Sequence, residues 1–244
     1  MLFVHGFPLD HEMWRHQIDA LTPNHRVIAP DLRGFGGSED VRGSVTMEQF
    51  ADDLAGLLDA LGVGVPVTVC GLSMGGYVAL AFVRKYADRL AGLILCDTRA
   101  LSDSEEAIAN RRKLAKSVLA NGSEVAARGM PVTLFAPATL EERPELVESV
   151  AKTIRATDPK SIAAALRGMA ERPDSTALLE AITVPTLVIV GEHDTLTPAA
   201  EMRGMSERIP ESRFVEVAAA GHMTPMENPD AVNRAIGEFL ATIG

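Results

Sequence analysis

Residues 65–83 read Val-Pro-Val-Thr-Val-Cys-Gly-Leu-Ser-Met-Gly-Gly-Tyr-Val-Ala-Leu-Ala-Phe-Val. Residues 65–70 form a largely β-branched apolar run, which is typical of a buried strand. The chain then passes through Gly71–Gly75, of sequence Gly-Leu-Ser-Met-Gly, into an apolar segment that favours a helix. A side chain at either glycine would collide where strand and helix come close. The stretch therefore predicts a tight strand-to-helix turn that exposes the hydroxyl of Ser73.

A serine on such a turn forms a nucleophile elbow, in which the hydroxyl stands clear of the backbone and can attack an acyl group. The pentapeptide by itself also fits a glycine-rich turn between two core elements, because a short motif is specific only in its structural context. The rest of the chain has to supply that context.

Composition limits the classes of protein and partner. The chain has 244 residues and a net charge of −10, which fits one α/β domain carrying an insertion. The negative charge argues against a nucleic-acid partner, since phosphates call for a basic face. Residues 60–83 carry no charge over a length that could cross a membrane, but glycines and a proline interrupt them, so we expect no membrane span.

Two observations bear on the cellular compartment. Asp10 and Glu12 follow the start of the chain closely, so no basic leader is evident and we expect a cytoplasmic protein. Cys70 and Cys96 each fall at the end of a predicted buried strand, and we interpret them as reduced core thiols.

Short apolar runs alternate with helical segments, which predicts a parallel sheet covered on both faces. Six strands are expected, at residues 2–4, 27–29, 65–70, 93–96, 184–191 and 213–217. Thr46 and Gln49 form a capping-box pattern at the start of a helix that Gly62 ends. Pro198 and Pro229 are each expected to begin a later helix.

The strand pattern stops between the fourth and fifth predicted strands. Helical segments are expected there at residues 105–120, 123–135, 146–156 and 161–170. We interpret residues 101–179 as an all-helical cap and residues 1–100 and 180–244 as the core. Four apolar cap residues are candidates to line a substrate pocket, with packing inside the cap as the favoured alternative: Met130, Leu134, Phe135 and Met169.

Open parallel sheets bind ligands beyond the carboxyl ends of their strands. The residues that follow the predicted strands are His5, Asp31, Ser73, Asp97, Asp194 and His222. A free hydroxyl is a weak nucleophile, so Ser73 needs a base, and His222 can take its proton while Asp194 orients the imidazole. Asp97 is the alternative acid, and we interpret His193 as a bystander beside Asp194.

Five segments in this order resemble α/β-hydrolases of the group that holds 3-oxoadipate enol-lactonases, small carboxylesterases and cofactor-free haloperoxidases, or perhydrolases. The segments are residues 5–10, 31–36, 71–76, 191–194 and 221–223. The resemblance implies that the backbone N–H groups of Phe7 and Met74 form an oxyanion hole, with His5 and Gly6 shaping the loop. It also implies an acyl-enzyme reaction without metal or cofactor.

The chain departs from that group at its start. Only residues 1–4 precede the His-Gly loop, where the relatives have about two strands, so the first two family strands are expected to be missing. The strand at residues 27–29 is then expected at an exposed edge. Because a bare edge invites pairing, a covering loop or self-association there is our hypothesis.

The sequence thus predicts a serine hydrolase whose partner is a small carboxylic ester or lactone. Two alternatives stay open: perhydrolase activity in the same site, suggested by Phe7-Pro8, and a non-catalytic ligand receptor on the same fold. The sequence also leaves open whether Arg33 or Arg99 holds a substrate carboxylate.

Overall fold

The computed structural model describes residues 1–39, 41 and 43–243. These residues form one parallel sheet with the strand order β1-β2-β3-β4-β5. The strands are β1 (Leu2–Val4), β2 (Val67–Leu72), β3 (Leu90–Cys96), β4 (Thr186–Gly191) and β5 (Ser212–Val217).

Helices occupy most of the remaining chain. The first group is α1 (Arg15–Leu21), α2 (Met47–Ala60) and α3 (Met74–Tyr86). The second group, between β3 and β4, is α4 (Glu105–Asn121), α5 (Glu124–Gly129), α6 (Pro131–Leu134), α7 (Pro137–Glu142), α8 (Pro144–Ala156) and α9 (Pro159–Glu171). The last group is α10 (Ala199–Glu207), α11 (Thr224–Glu227) and α12 (Pro229–Ile243). Short 3-10 helices span His11–Trp14, Ala87–Arg89 and Thr176–Ala181.

The sixth strand predicted at residues 27–29 is not formed. It reduces to one parallel bridge between Leu2 and Ile28, made by Phe3 N–H to Ile28 O (2.8 Å) and Ile28 N–H to Met1 O (2.9 Å). Pro30 lacks a backbone N–H, so the ladder cannot continue past this point. The self-association proposed for this edge stays a prediction.

The middle of the sheet is the core of the molecule. Every residue of β2 and of β4 is buried, and successive side chains of a strand point to opposite faces, so both faces of the sheet are covered. Helix α3 packs on β1, β2 and β3, while α10 and α12 pack on β4 and β5. Cys70 and Cys96 are buried and unlinked, as predicted.

The helical insertion between β3 and β4 differs in detail from its prediction. The expected helix at residues 123–135 is split into α5 and α6 at Pro131, and α7 was not foreseen. Proline is the first residue of α6, α7, α8 and α9, because its missing N–H is not needed there and its φ suits a helix. Residues that look like separators in the sequence therefore begin helices.

The capping box predicted for α2 is present, with Gln49 N–H donating to Thr46 Oγ1 and Thr46 N–H to Gln49 Oε1. Among the described residues, the helices are all too short or too polar to span a bilayer.

Candidate active site

The predicted strand-to-helix turn is present at Ser73. Its backbone lies at φ 54° and ψ −114°, between the last residue of β2 and the first of α3. A Cβ on Gly71 would lie 2.2 Å from the carbonyl oxygen of Gly75, and one on Gly75 would lie 2.1 Å from that of Val4. Both distances are far below van der Waals contact, so only glycine permits this approach of strand and helix.

Three side chains from separate strand ends meet at the carboxyl edge of the sheet. Ser73 follows β2, Asp194 follows β4 and His222 follows β5. The distance from Ser73 Oγ to His222 Nε2 is 2.8 Å, and that from His222 Nδ1 to Asp194 Oδ2 is 2.8 Å. An ionised carboxylate only accepts hydrogen bonds, so Nδ1 carries the imidazole proton and the Nε2 lone pair faces the serine hydroxyl.

Asp194 is held ionised by its surroundings. Burial by itself would raise the pKa of this carboxyl, but the electrostatic interaction with His222 and hydrogen bonds from His222 and Thr197 outweigh it and lower the pKa to about 2. The second oxygen, Oδ1, accepts the N–H groups of Leu196 (2.8 Å) and Thr197 (2.9 Å). Asp194 therefore keeps its charge and its orientation near neutral pH.

Asp97, the alternative acid, lies elsewhere in the network. It is fully buried, and its carboxylate accepts hydrogen bonds from Gly191 N–H (2.9 Å) and from the Thr224 hydroxyl. Burial, followed by the charge of Asp194, raises its pKa well above the ordinary value. His222 Nδ1–H donates to Asp194 instead. His193 is half exposed beside Glu192, as expected of a bystander.

The two predicted oxyanion donors lie close to the serine. Met74 begins α3, where backbone N–H groups lack helical partners and the helix dipole favours negative charge. Phe7 lines the same cavity as Ser73. Among the turns, loops and helix caps of the described residues, neither Phe7 N–H nor Met74 N–H donates to a backbone carbonyl.

The loop that carries Phe7 is fixed by a buried imidazole. His5 Nδ1 lies 2.9 Å from Gly6 O, and His5 Nε2 accepts the Leu32 N–H at 2.9 Å. Burial lowers the pKa of His5 to about 4, so this histidine is neutral at pH 7. It is bonded through both ring nitrogens to the backbone, as expected of a residue that shapes the loop.

A cavity of about 200 Å³ opens beside Ser73 and His222. Three of the four predicted pocket residues line it: Met130, Leu134 and Met169. Phe135 is buried, and the cavity lining does not include it. The insertion thus supplies both kinds of residue foreseen, pocket lining and internal packing.

The cavity wall also carries charges that the sequence did not reveal. Arg111 and Arg172 both bind Asp103, with Arg111 Nε to Oδ2 at 2.5 Å and Arg172 Nη1 to Oδ1 at 2.7 Å. Burial opposes ionisation of Asp103, but the two guanidinium groups outweigh it and lower its pKa. Arg172 also stacks on the Tyr77 ring at 4.0 Å. Arg111 and Asp103 line the cavity, whereas Arg172 is buried outside its lining. With two cations on one carboxylate, this cluster carries one net positive charge beside the cavity.

Of the two arginines that the sequence offered as partners of a substrate carboxylate, Arg99 lines the cavity and Arg33 does not. Arg99 lines the cavity, but its Nε lies 3.0 Å from Glu201 Oε1. Arg33 pairs with Asp53 at the surface and does not line this cavity. Arg111 had no signal in the sequence, because it lies on a polar helix whose orientation only packing reveals.

One group of described residues has metal-ligand atoms close together. Atoms of Asp10, His11 and Asp31 lie within 4.8 Å of one another. The two oxygens of Asp31 already accept hydrogen bonds, Oδ1 from His11 N–H (2.8 Å) and Nδ1 (2.7 Å), and Oδ2 from Gly37 N–H (2.8 Å). These contacts pin the glycine-rich loop, which explains the cluster without a metal.

Comparisons with known proteins show the family and the fold. A family model described as the alpha/beta hydrolase fold matches residues 1–229. A thermophilic esterase from Thermogutta terrifontis, solved with malate bound, is 52% identical with a TM-score of 0.97, and the match covers 99% of this chain and 89% of that one. The enol-lactonase from Burkholderia xenovorans LB400 is 30% identical with a TM-score of 0.91, covering 98% and 90%. The 3-oxoadipate enol-lactonase 2 of Acinetobacter baylyi is 29% identical over 236 residues, covering 97% and 86%.

Proposed function

The chain belongs to the alpha/beta hydrolase fold family, and we propose that it is a serine hydrolase that cleaves small carboxylic esters or lactones through an acyl-enzyme. The observation that carries the proposal is the unbroken chain of 2.8 Å contacts from Ser73 through His222 to Asp194. Relatives named as an esterase and as enol-lactonases support the type of bond that is cleaved.

The reaction follows from the positions of the three groups. Ser73 Oγ attacks the acyl carbonyl as His222 Nε2 takes its proton, and Asp194 stabilises the resulting imidazolium. The negative oxygen that forms is bound by the N–H groups of Phe7 and Met74, each worth about 3 kcal/mol in the transition state. His222 then protonates the departing alkoxide. A water molecule, deprotonated by the same nitrogen, attacks the acyl carbon. His222 then gives that proton to Ser73 Oγ as the acyl–oxygen bond breaks, which releases the acid and restores the free serine.

The cavity indicates which acyl groups fit. Its volume of about 200 Å³ suits a small substrate, and Met130 and Met169 offer apolar contact. Arg111, beside them, adds positive charge, which favours an acyl group that ends in a carboxylate. The 3-oxoadipate in the name of the Acinetobacter baylyi relative and the malate in the esterase structure are both carboxylates, which is consistent with that preference.

Replacement of Ser73 by alanine tests the assignment. We expect hydrolysis of p-nitrophenyl acetate to fall to the level of the buffer, and covalent labelling by a fluorophosphonate to disappear, because both require the serine oxygen. Ser149→Ala, on the surface of α8, is the matched control and should behave like the wild type. Undiminished turnover by Ser73→Ala would refute the proposal.

The same assay tests the acyl group. We expect the wild type to have a higher kcat/KM for mono-p-nitrophenyl succinate than for p-nitrophenyl butyrate, and Arg111→Met to abolish the difference. Equal kcat/KM values for the two esters in the wild type would contradict the preference for an anionic acyl group, but not the proposal of a serine hydrolase. A burst of one product per chain without steady turnover would instead favour the receptor alternative. Perhydrolase activity and a cytoplasmic location stay predictions.

A further inference from the structure

The turn that carries His222 packs directly on the helical insertion. This turn, residues 221–224, lies against the linker between α6 and α7. A Cβ on Gly221 would lie 2.5 Å from Ala136 N, so the two backbones are in close contact. His222 N–H donates to Leu134 O at 2.9 Å, and Leu134 lines the cavity. The backbone of the base is thus bonded to the wall of the substrate pocket.

One carboxylate, that of Glu227, joins both sides of this contact. Its Oε1 accepts the N–H groups of Gly221 (2.8 Å) and Met223 (3.2 Å), the two neighbours of His222. Its Oε2 accepts Ala136 N–H (2.8 Å) and the Thr139 hydroxyl (2.7 Å), both in the insertion. The residue is 8% exposed, so little water competes for these donors.

The chemistry of these four contacts calls for a carboxylate. Four donors converge on two oxygens, and an ionised carboxylate can accept from all of them while donating to none. A carboxamide offers one oxygen and an NH2 group. If the carboxamide oxygen accepts from Gly221 and Met223, its NH2 group faces the Ala136 N–H, which is also a donor. In the reverse orientation the NH2 group faces the N–H groups of Gly221 and Met223. In both orientations a buried N–H group loses its acceptor.

We infer that Glu227 is a positioning residue, whose carboxylate clamps the turn that carries His222 to the α6–α7 linker so that base and pocket wall are held together. The inference rests on the proposed function, since His222 matters as the base that Ser73 requires. A displacement of about 1 Å at a reacting group can cost on the order of 10²-fold in rate. Loss of the clamp should therefore slow the chemistry more than it weakens substrate binding.

Three variants weaken the clamp to different extents. Glu227→Met keeps a similar length and removes all four acceptor contacts, while Glu227→Gln removes the charge and at least one contact. Thr139→Val removes a single donor on the insertion side. Ser123→Ala is the matched control. The buried Ser123 hydroxyl donates to Thr157 O inside the insertion and is not among the groups described as bonding the His222 turn.

The measurement is kcat and KM for p-nitrophenyl acetate, beside the melting temperature of each variant. We expect kcat to fall roughly tenfold to hundredfold in Glu227→Met and less in Glu227→Gln, with KM changed by less than about twofold. Thr139→Val should show a smaller fall, and Ser123→Ala none even where its melting temperature drops. A folded Glu227→Met or Glu227→Gln with wild-type kcat would overturn the inference. If Glu227→Met does not fold, Glu227→Gln decides.

A second readout is independent of turnover. In protein with ¹⁵N-labelled histidine, the Nδ1 proton of His222, identified by its loss in His222→Gln, reports its hydrogen bond to Asp194. We expect this resonance to shift or exchange-broaden in the Glu227 variants and to be unchanged in Ser123→Ala. An inactive wild type would defeat the proposed function while this resonance still tests the clamp. An unchanged resonance in both Glu227 variants would defeat the clamp alone.

Discussion

The turns at Ser73 and at His222 face each other across 2.8 Å, yet they are held in different ways. The Ser73 turn is held by backbone contact, since the glycines at 71 and 75 allow strand and helix to touch. The His222 turn also contacts the α6–α7 linker through its backbone, but two buried side chains hold it in addition, with Glu227 accepting from the neighbours of His222 and Asp97 accepting from Thr224.

The difference predicts how each turn fails. Backbone contact tolerates no added atom, so the Ser73 turn should respond to steric change near glycine. A turn held by buried carboxylates should respond to changes in charge and hydrogen bonding that leave volume unchanged. Substitutions on the two sides can therefore separate loss of fold from loss of orientation.

The largest effect is expected on the side-chain-held turn. Asp194→Asn presents an NH2 group to His222 Nδ1, which favours the wrong imidazole tautomer, and kcat should fall by about 10⁴-fold with little loss of stability. The measurement is steady-state kinetics beside urea unfolding.

Asp97→Asn is the matched carboxylate. The variant keeps an acceptor for Gly191 N–H and does not touch His222. We therefore expect the activation free energy to rise by only about 1 kcal/mol, which is a fall of about fivefold in kcat. If Asp97→Asn cost as much as Asp194→Asn, the two carboxylates would share the role of acid and the comparison would fail.

The loop that carries Phe7 is the next case, because the buried ring of His5 holds it. In the folded protein the pKa of His5 is about 4, below the ordinary histidine value of about 6.5. Between these two pH values the folded protein therefore binds fewer protons than the unfolded chain. The stability that depends on neutral His5 is present above pH ~6.5 and is lost as pH falls towards about 4. The loss should be about 3 kcal/mol in the free energy of unfolding.

Urea unfolding at several pH values measures this loss. His5→Gln should be less stable at pH 7 and lose less stability on acidification, whereas His16→Gln, at an exposed position, should follow the wild type. Parallel curves for His5→Gln and the wild type would show that another group causes the pH dependence.

The last case is the backbone-held turn. Gly75→Ala puts a Cβ 2.1 Å from Val4 O, and overpacking of this kind costs about 1–3 kcal/mol, with lost activity as Ser73 shifts. Gly237→Ala, in open space on α12, should gain up to about 1 kcal/mol from helix propensity. Both are read from melting temperatures, and a stable, fully active Gly75→Ala would show that the close approach is not required.

The outcome of the sequence predictions follows the same division. The turn at Ser73 and the capping box at Thr46 depend on neighbours within a few residues, and both are confirmed. The strand predicted at residues 27–29 was wrong in extent, because only one bridge forms there and Pro30 cannot donate the next backbone hydrogen bond. An apolar run does not by itself show where pairing ends. The split between α5 and α6 was missed because both halves continue one helical pattern.

Distant contacts left no signal in the order of residues. Arg111 and Tyr77 occur in ordinary helical patterns, and only the packing of α4 and α9 and the course of α3 bring them to one cavity. Glu227 follows His222 closely in the chain, but its partners Ala136 and Thr139 lie about ninety residues earlier. A buried carboxylate is recognised as such only once the donors around it are known.

Local order along the chain was thus enough to place a serine, an acid and a histidine at one edge of a parallel sheet, because strand ends and glycine turns are short-range features. The distances between those groups, the charge of the cavity and the anchoring of the histidine came from folding alone. They depend on atoms that meet through the packing of the insertion against the sheet, and no interval of residues in the chain encodes that meeting by itself.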